Sequence, residues 1–361
     1  MKRKGLAGLP VALDTPPMEA RLVHELPSDA GWQFEPKWDG FRCLAFRAGD
    51  EIELRAKSGK SLTRYFPEMV EALRALKSQP FVLDGELAVP VGNTLSFDAL
   101  QMRLHPAASR IRKLARETPA IFIAFDCLMA EDRISLLDAA LQDRRVRLEA
   151  MSRSWRAGTP LRLTPFTRSR HVAQRWLDRA RGALDGVVAK RVDGPYQPDA
   201  RAMLKVKGLR TADCVIGGFR YAAGEKYVGS LLLGLYDDEG RLNHVGFTSG
   251  ISRAERPALT RKLEKLRASP GFTGDAPGGP SRWSTERSTQ WEPLRPVLVV
   301  EVQYDHVTGG RFRHGTRLVR WRPDKAPRQC TYEQMRREAR PGLLRSLLAA
   351  EAEHAQQGKG R

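Results

Sequence analysis

The chain has 361 residues, enough for two domains with separate cores. Its 61 Lys and Arg against 42 Asp and Glu give a formal charge of +19, and a hydrophobic content of 41% excludes a disordered basic tail. Cys43, Cys127, Cys214 and Cys330 stand far apart without a CxxC pair, which argues against a zinc finger or a disulfide framework, and no run is long and apolar enough for a membrane span. The expectation is a cytoplasmic, nucleoid-associated protein whose field draws polyanions, nucleic acid first.

The first thirty residues read as a Pro-rich lead-in, basic at its start but too broken by prolines for a leader peptide. From Trp32 to about Lys207 the pattern is mixed. FRCLAFRAG, EIELRA, FVLDGELAVPVG and AIFIAFDCLM are rich in β-branched and aromatic residues, while FPEMVEALRALKS and SLLDAALQDRRVRLEAM repeat apolar residues at helical spacing. Strands followed by hairpin signals predict largely antiparallel sheets. After KVKGLRTAD the character changes to strands joined by Gly-rich turns: DCVIGGFRYAAG, SLLLGLYDDEGRLNHVGFTSG and VLVVEVQYDHVTGGRFRHGTRLVRWRP, with SRAERPALTRKLEKLRAS a helix between them. Five strands with one interposed helix is the count of an OB-fold barrel, with closure and strand order left open. SPGFTGDAPGGPS reads as a flexible loop, and the end of the chain from Tyr332 as a helix followed by a disordered tail.

Several stretches carry chemistry. In EPKWDGFR, residues 35 to 42, Lys37 precedes an Asp-Gly pair, a motif expected by chance roughly 0.05 times in a chain of this length. Alone it reads first as a strand ending in an Asp-Gly turn beside an exposed lysine. In VLDGELAV a strand puts Asp84 and Glu86 on one face, as a sheet presents carboxylates to a metal or ligand or simply to solvent. FIAFDCL ends a hydrophobic strand with Phe125 and Asp126, the ring serving as core or as a base-stacking platform. LDGVVAKRVDGPYQPDARAMLKVKG carries Asp185, Lys190, and then Lys205 and Lys207 sharing a face; such a pair suits a phosphate, or guards an edge strand against aggregation. A fold that gathers Lys37, Glu86, Asp185, Lys190, Lys205 and Lys207 would have the parts for nucleotidyl transfer. A lysine attacks phosphorus only when neutral, so neighbouring cations would have to lower its pKa while carboxylates hold a metal.

In this order, the blocks resemble the covalent nucleotidyltransferase superfamily, and most closely the bacterial ATP-dependent DNA ligases of the ligase C type and the ligase domain of ligase D. The likeness spans nearly the whole chain: KWDGFR is similar to motif I, VLDGELAV to motif III, FIAFDC to motif IIIa, LDGVVAK to motif IV, LKVKG to motif V and RWRPDK to motif VI. The implied architecture is α+β: a lead-in over 1–30, an antiparallel-sheet nucleotidyltransferase domain over 31–207, a hinge at 208–212 within KGLRTAD, an OB-fold over 213–331 and a helix and tail over 332–361. The resemblance implies that Lys37 becomes the lysyl-AMP, with Asp39 and Gly40 shaping its loop and Glu35 and Trp38 beside it. Arg42 would contact ribose or the 5′-phosphate of a nick, Glu86 the ribose or the metal, Phe125 would stack on adenine, and Lys190, Lys205 and Lys207 would hold the α-phosphate. Arg322, Asp324 and Lys325 would orient the leaving pyrophosphate. The chain departs from the family pattern twice: Asp185 stands where motif IV starts with Glu, one methylene shorter toward a metal, and Lys57 in AKSG replaces an Arg, a point charge for a bidentate fork toward the nick end.

The implied activity is nick sealing by a monomer with ATP, carried as covalent AMP, and Mg²⁺ or Mn²⁺. Nicked duplex DNA is the substrate, repair the setting, and a repair primase-polymerase the expected partner. An RNA ligase or an mRNA capping guanylyltransferase would share the chemistry, and a catalytically silent OB-fold nucleic-acid-binding protein would share the charge but not the ordered motifs. An NAD-dependent ligase is disfavoured, because only 36 residues precede Lys37 where a domain needs at least ~50.

Overall fold

The computed structural model describes residues 5–77, 79–92, 94–155, 158–179, 184–208, 210–278, 290–305, 307–313, 315–335 and Leu347. These form two compact units, the first holding the described residues up to Gly208 together with Leu347, the second those from Arg210 to Met335.

The strands of the first unit, in chain order, are β1 (Ala20–Leu22), β2 (Trp32–Lys37), β3 (Phe41–Ala48), β4 (Glu51–Ala56), β5 (Phe81–Ala88), the short pair β6 (Pro90–Val91) and β7 (Thr94–Leu95), β8 (Ile121–Met129), β9 (Leu161–Leu163), β10 (Gly186–Arg191) and β11 (Met203–Lys207). Its helices are α1 (Pro67–Arg74), α2 (Phe97–Met102), α3 (Ala108–Glu117), α4 (Leu141–Ser152) and α5 (Arg170–Arg179). Two sheets result, one ordered β1-β11-β10-β2 and the other β4-β3-β5-β8-β9. Both are antiparallel except for the β1/β11 and β8/β9 pairs.

Alternation along the strands explains the layers. Cys43, Ala45, Leu83, Leu87 and Phe122 face a core that Met69 and Leu73 of α1 and Leu148 and Met151 of α4 complete. Leu44, Phe46 and Val82, on the opposite face, meet Met203 and Val188 of the other sheet. Phe34, Val187, Ala189 and Val206 turn away from that contact and pack on Ala173 of α5. A polar residue on the inner face therefore points into the space between two sheets. The Pro-rich lead-in belongs to this unit as well: Leu9, Val11 and Met18 are buried in the inter-sheet core, and β1 pairs with β11.

The second unit contains β12 (Arg210–Tyr221), β13 (Val228–Tyr236), β14 (Leu242–Thr248), α6 (Arg256–Glu264), β15 (Glu292–Pro293), β16 (Val299–Tyr304), the hairpin β17 (Val307–Thr308) and β18 (Arg311–Phe312), and β19 (Arg317–Trp321). Its long strands run in the order β14-β13-β12-β16-β19. The end of β14 then meets the chain entering β19: Thr248 Oγ1 donates to the Thr316 carbonyl at 2.9 Å and Thr316 N to the Phe247 carbonyl at 3.2 Å. That contact closes the sheet into the barrel of an OB-fold, with α6 in the connection between β14 and β16.

Three local expectations come out differently, and a fourth lies mostly outside the described residues. Residues 135–140 are not helical, since Leu136 N donates to the Leu128 carbonyl and Ser135 bridges to Met129, so α4 begins at Leu141. Of the expected flexible loop, 269–278 is packed: Phe272 is buried, Thr273 N donates to the Leu242 carbonyl, and Asp275 N to Asn243 Oδ1 at 2.8 Å. Its last three residues lie outside the described ones. Of the hinge stretch, 210–212 already pair with β16, because their backbone groups are spent on that ladder. The C-terminal helix is described only at its 3₁₀ start, Tyr332–Met335, and at Leu347, which is buried beside Trp38; the rest of that expectation, with the tail, falls outside the described residues.

Candidate active site

Between the two sheets of the first unit lies a cavity of about 210 Å³. Glu35, Lys37, Arg42, Lys57, Glu86, Phe125, Lys190 and Lys205 all line it, with Val188 and Met203 as apolar wall. Lys37 ends β2 directly across from Gly186, so the residue before that glycine is held beside it: Asp185 N donates to the Lys37 carbonyl at 2.9 Å and Lys37 Nζ lies 2.5 Å from Asp185 Oδ2. Burial pulls the lysine pKa down, but the Asp185 charge and hydrogen bond, helped by Glu86 and Asp39, carry it above its usual value. The expectation of a lysine activated by neighbouring cations therefore fails in the free protein, because the charges nearest to Lys37 are carboxylates. Lys205 has the opposite balance, lowered by burial and then by repulsion from Lys37, Lys207 and Lys57.

The Asp-Gly pair after Lys37 has a steric reason. A Cβ on Gly40 would sit 2.1 Å from the Leu87 carbonyl, and only its absence lets Gly40 N donate to Glu86 Oε1 at 3.1 Å. Glu86 itself is pushed up to about 7 by burial, against the pull of Lys37 and Arg42.

Arg42 is held from below. Its Nε and Nη2 donate to the two oxygens of fully buried Asp84 at 2.6 and 2.6 Å, and its guanidinium lies 4.5 Å from the Phe125 ring centre. Asp84 also accepts from the Tyr196 hydroxyl at 2.6 Å, and that hydroxyl accepts from Met18 N at 2.9 Å. On the other side of Phe125, in sequence terms, Lys190 pairs with Glu35 at 2.7 Å, donates to the Phe125 carbonyl at 3.2 Å and stands 4.7 Å from the ring. Gln33 supplies the remaining donor to Glu35 at 2.9 Å. Lys57 pairs with Glu19 at 2.8 Å, Lys207 is at the level of Gly186, and the buried Trp38 indole donates to Thr164.

The three remaining candidates form a separate cluster in the second unit. Arg322 donates to Asp324 and, through Nη1, to Asp213 Oδ1 at 2.7 Å, with Lys325 Nζ 3.7 Å from Asp213 Oδ2. Sequence reasoning missed Tyr196, Glu19 and Asp213, whose partners lie 112, 38 and 109 residues away, beyond any local pattern. Asp84 was visible only as a carboxylate two residues before Glu86.

Among the described residues no three His, Cys, Asp or Glu side chains form a ready metal cage. Glu86 and Asp185 on either side of Lys37 do suit an ion that takes one or two carboxylates and fills its shell with phosphate oxygens and water, the usual habit of Mg²⁺.

Residues 18–207 match the family model described as ATP dependent DNA ligase domain, and residues 224–325 the ATP dependent DNA ligase C terminal region. The chain is 45% identical over 343 residues to DNA ligase C2 of Mycolicibacterium smegmatis, covering 91% of this chain and 96% of that protein. It is 32% identical over 312 residues to the multifunctional non-homologous end joining DNA repair protein LigD of Mycobacterium tuberculosis, covering 84% of this chain and 37% of that one. A solved Lig E DNA ligase superposes with a TM-score of 0.52 over 84% of this chain and 99% of its own, at 16% identity, a likeness of fold alone. No described helix is long and apolar enough to cross a membrane.

Proposed function

Because the chain belongs to the ATP-dependent DNA ligases, we propose that Lys37 is the residue that carries AMP in the sealing of nicks between a 3′-OH and a 5′-phosphate. The single observation behind this choice is a lysine at the wall of a cavity between two sheets, with Lys190 and Lys205 on that wall and Glu86 beside it. The Lys37 nitrogen must first give its proton to solvent, which Asp185, 2.5 Å away, would favour by turning from the ammonium to a metal ion. The freed lone pair attacks the α-phosphorus of ATP, the N–P bond forms and the bond to pyrophosphate breaks. Mg²⁺ or Mn²⁺, held by Glu86 and Asp185 together with phosphate oxygens, would supply the positive charge that makes the neutral amine less costly and screens the phosphates.

In the next step an oxygen of the DNA 5′-phosphate attacks the same phosphorus, the N–P bond breaks and Lys37 recovers its proton. The 3′-OH then attacks the DNA phosphate and AMP leaves. Phe125 with Val188 would take the adenine, Glu35 and Arg42 would shape the nucleoside end, and Lys190, Lys205 and Lys207 would hold the α-phosphate. Lys57 would meet the nick end, and Arg322 and Lys325 the leaving pyrophosphate, with Asp324 holding the Arg322 guanidinium until that anion arrives. The relation to LigD, named a non-homologous end joining DNA repair protein, supports work in DNA repair. A separate primase-polymerase as partner and a monomeric chain complete the reading.

The test is to incubate the protein and Lys37→Ala with α-labelled ATP or GTP and Mg²⁺, denature, and count label on the chain. Label from ATP on the wild type alone, discharged by nicked DNA, is expected. Label from GTP would favour capping chemistry, discharge only by nicked RNA an RNA ligase, and no label a binding module.

A further inference from the structure

Arg322 has every edge of its guanidinium occupied. Nε and Nη2 face Asp324 at 3.0 and 2.9 Å, Nη1 faces Asp213 at 2.7 Å, and Glu301 stands 3.9 Å from Nη1. The partners differ in kind: the Asp324 side chain is 63% exposed, that of Asp213 only 12%. Asp213 is also held by its own backbone. The side-chain amide of Gln334 accepts from Asp213 N at 2.9 Å and donates to the Asp213 carbonyl at 3.1 Å, while β12 and β16 pair Asp213 with Glu301. Lys325 shares the second oxygen of the same carboxylate. A phosphate oxygen arriving at Arg322 would therefore displace exposed Asp324, which water readily solvates, and leave the sheltered, backbone-clamped Asp213 in place.

We propose that Asp213 is a positioning residue for lysine adenylation, anchoring Arg322 and Lys325 so that the guanidinium edge now held by Asp324 is presented to the leaving pyrophosphate. The inference rests on the reading that gives Arg322 and Lys325 that pyrophosphate. Asp213 touches no reacting atom, and it acts by keeping a flexible arginine in one rotamer and its charge-bearing edge in one plane. A neutral amide at this position keeps the shape but loses the charge-assisted bond, and Lys325 loses its counter-ion with it.

The experiment uses the full chain and three variants, Asp213→Asn, Asp213→Glu and Arg322→Ala. Two steps are timed separately: transfer of labelled AMP from ATP to the protein, and closure of a nick already carrying AMP on its 5′-phosphate, which bypasses ATP. Asp213→Asn is expected to slow adenylation about tenfold or more, chiefly in the turnover rate, while closure of the pre-adenylated nick stays within about threefold of wild type. Asp213→Glu, which retains the carboxylate, is expected to recover part of the loss. Equal losses in both steps would make Asp213 merely a stabilising residue of the barrel and overturn the inference, as would unimpaired adenylation in Asp213→Asn when Arg322→Ala is slow. If Arg322→Ala itself adenylates normally, the reading of Arg322 fails and the anchoring role goes with it.

Discussion

A fully buried carboxylate that accepts three hydrogen bonds is costly to leave short of one. Asp84 takes two from Arg42 and one from Tyr196, and the Tyr196 oxygen also caps Met18 N. Tyr196→Phe removes both contacts of that oxygen in the buried space under the cavity, so chemical denaturation should read a loss of roughly 1–3 kcal/mol. The same variant frees Arg42 to tilt, and adenylation should lose ATP affinity before it loses rate. In the second unit His244 is buried, its Nδ1 facing the Arg311 guanidinium and its Nε2 without a hydrogen-bond partner among the described residues. Burial first, then Arg311 and Arg220, depress its pKa from 6.5 to about 3. Below pH 6.5 the unfolded chain binds a proton that the folded one refuses, so the stability from a neutral His244 is complete above pH 6.5 and drains away as pH falls toward about 3. Thermal unfolding from pH 7 to pH 4 should destabilise the wild type more than His244→Gln.

At the scale of elements, the site depends on β10 and β11 lying close. Gly186 has φ +149°, and a Cβ there would meet the Val206 carbonyl at 2.0 Å. Gly186→Ala must push β10 off β11 at the level of Lys37 and carry Asp185 away from its partner. Adenylation should fall by more than tenfold and the melting temperature by several degrees, readable by scanning calorimetry beside the labelling assay. This glycine was legible as part of an LDGVVAK block, but its need was not, since the neighbour that forbids a side chain is a carbonyl twenty residues on. The start of α4 shows the same limit. Ser135 to Ala140 have helical apolar spacing, yet their backbone groups find Leu128 and Met129 on a strand first.

For the whole molecule, the +19 charge predicts that DNA engagement and adenylation respond differently to salt. Each phosphate neutralised by Lys or Arg releases counter-ions, so the KM for nicked DNA should rise steeply between 50 and 200 mM salt, on the order of tenfold for a few contacts, while self-adenylation without DNA changes far less. A parallel fall of both would place the salt effect on the fold instead. Strand and helix patterns told from sequence of a mixed unit followed by strands with the count of a small barrel, because alternation is local along the chain, and the resemblance of the ordered motif blocks to a known family supplied the nucleotidyltransferase reading. Only the tertiary structure decided that the barrel closes through Thr248 and Thr316, that Asp84 anchors Arg42, that Asp213 holds Arg322, and that Lys37 rests against a carboxylate that favours its charged form. Those outcomes turn on which charges and carbonyls meet across a hundred residues or between neighbouring strands, and a pKa or a close approach is a property of that meeting and not of the residue.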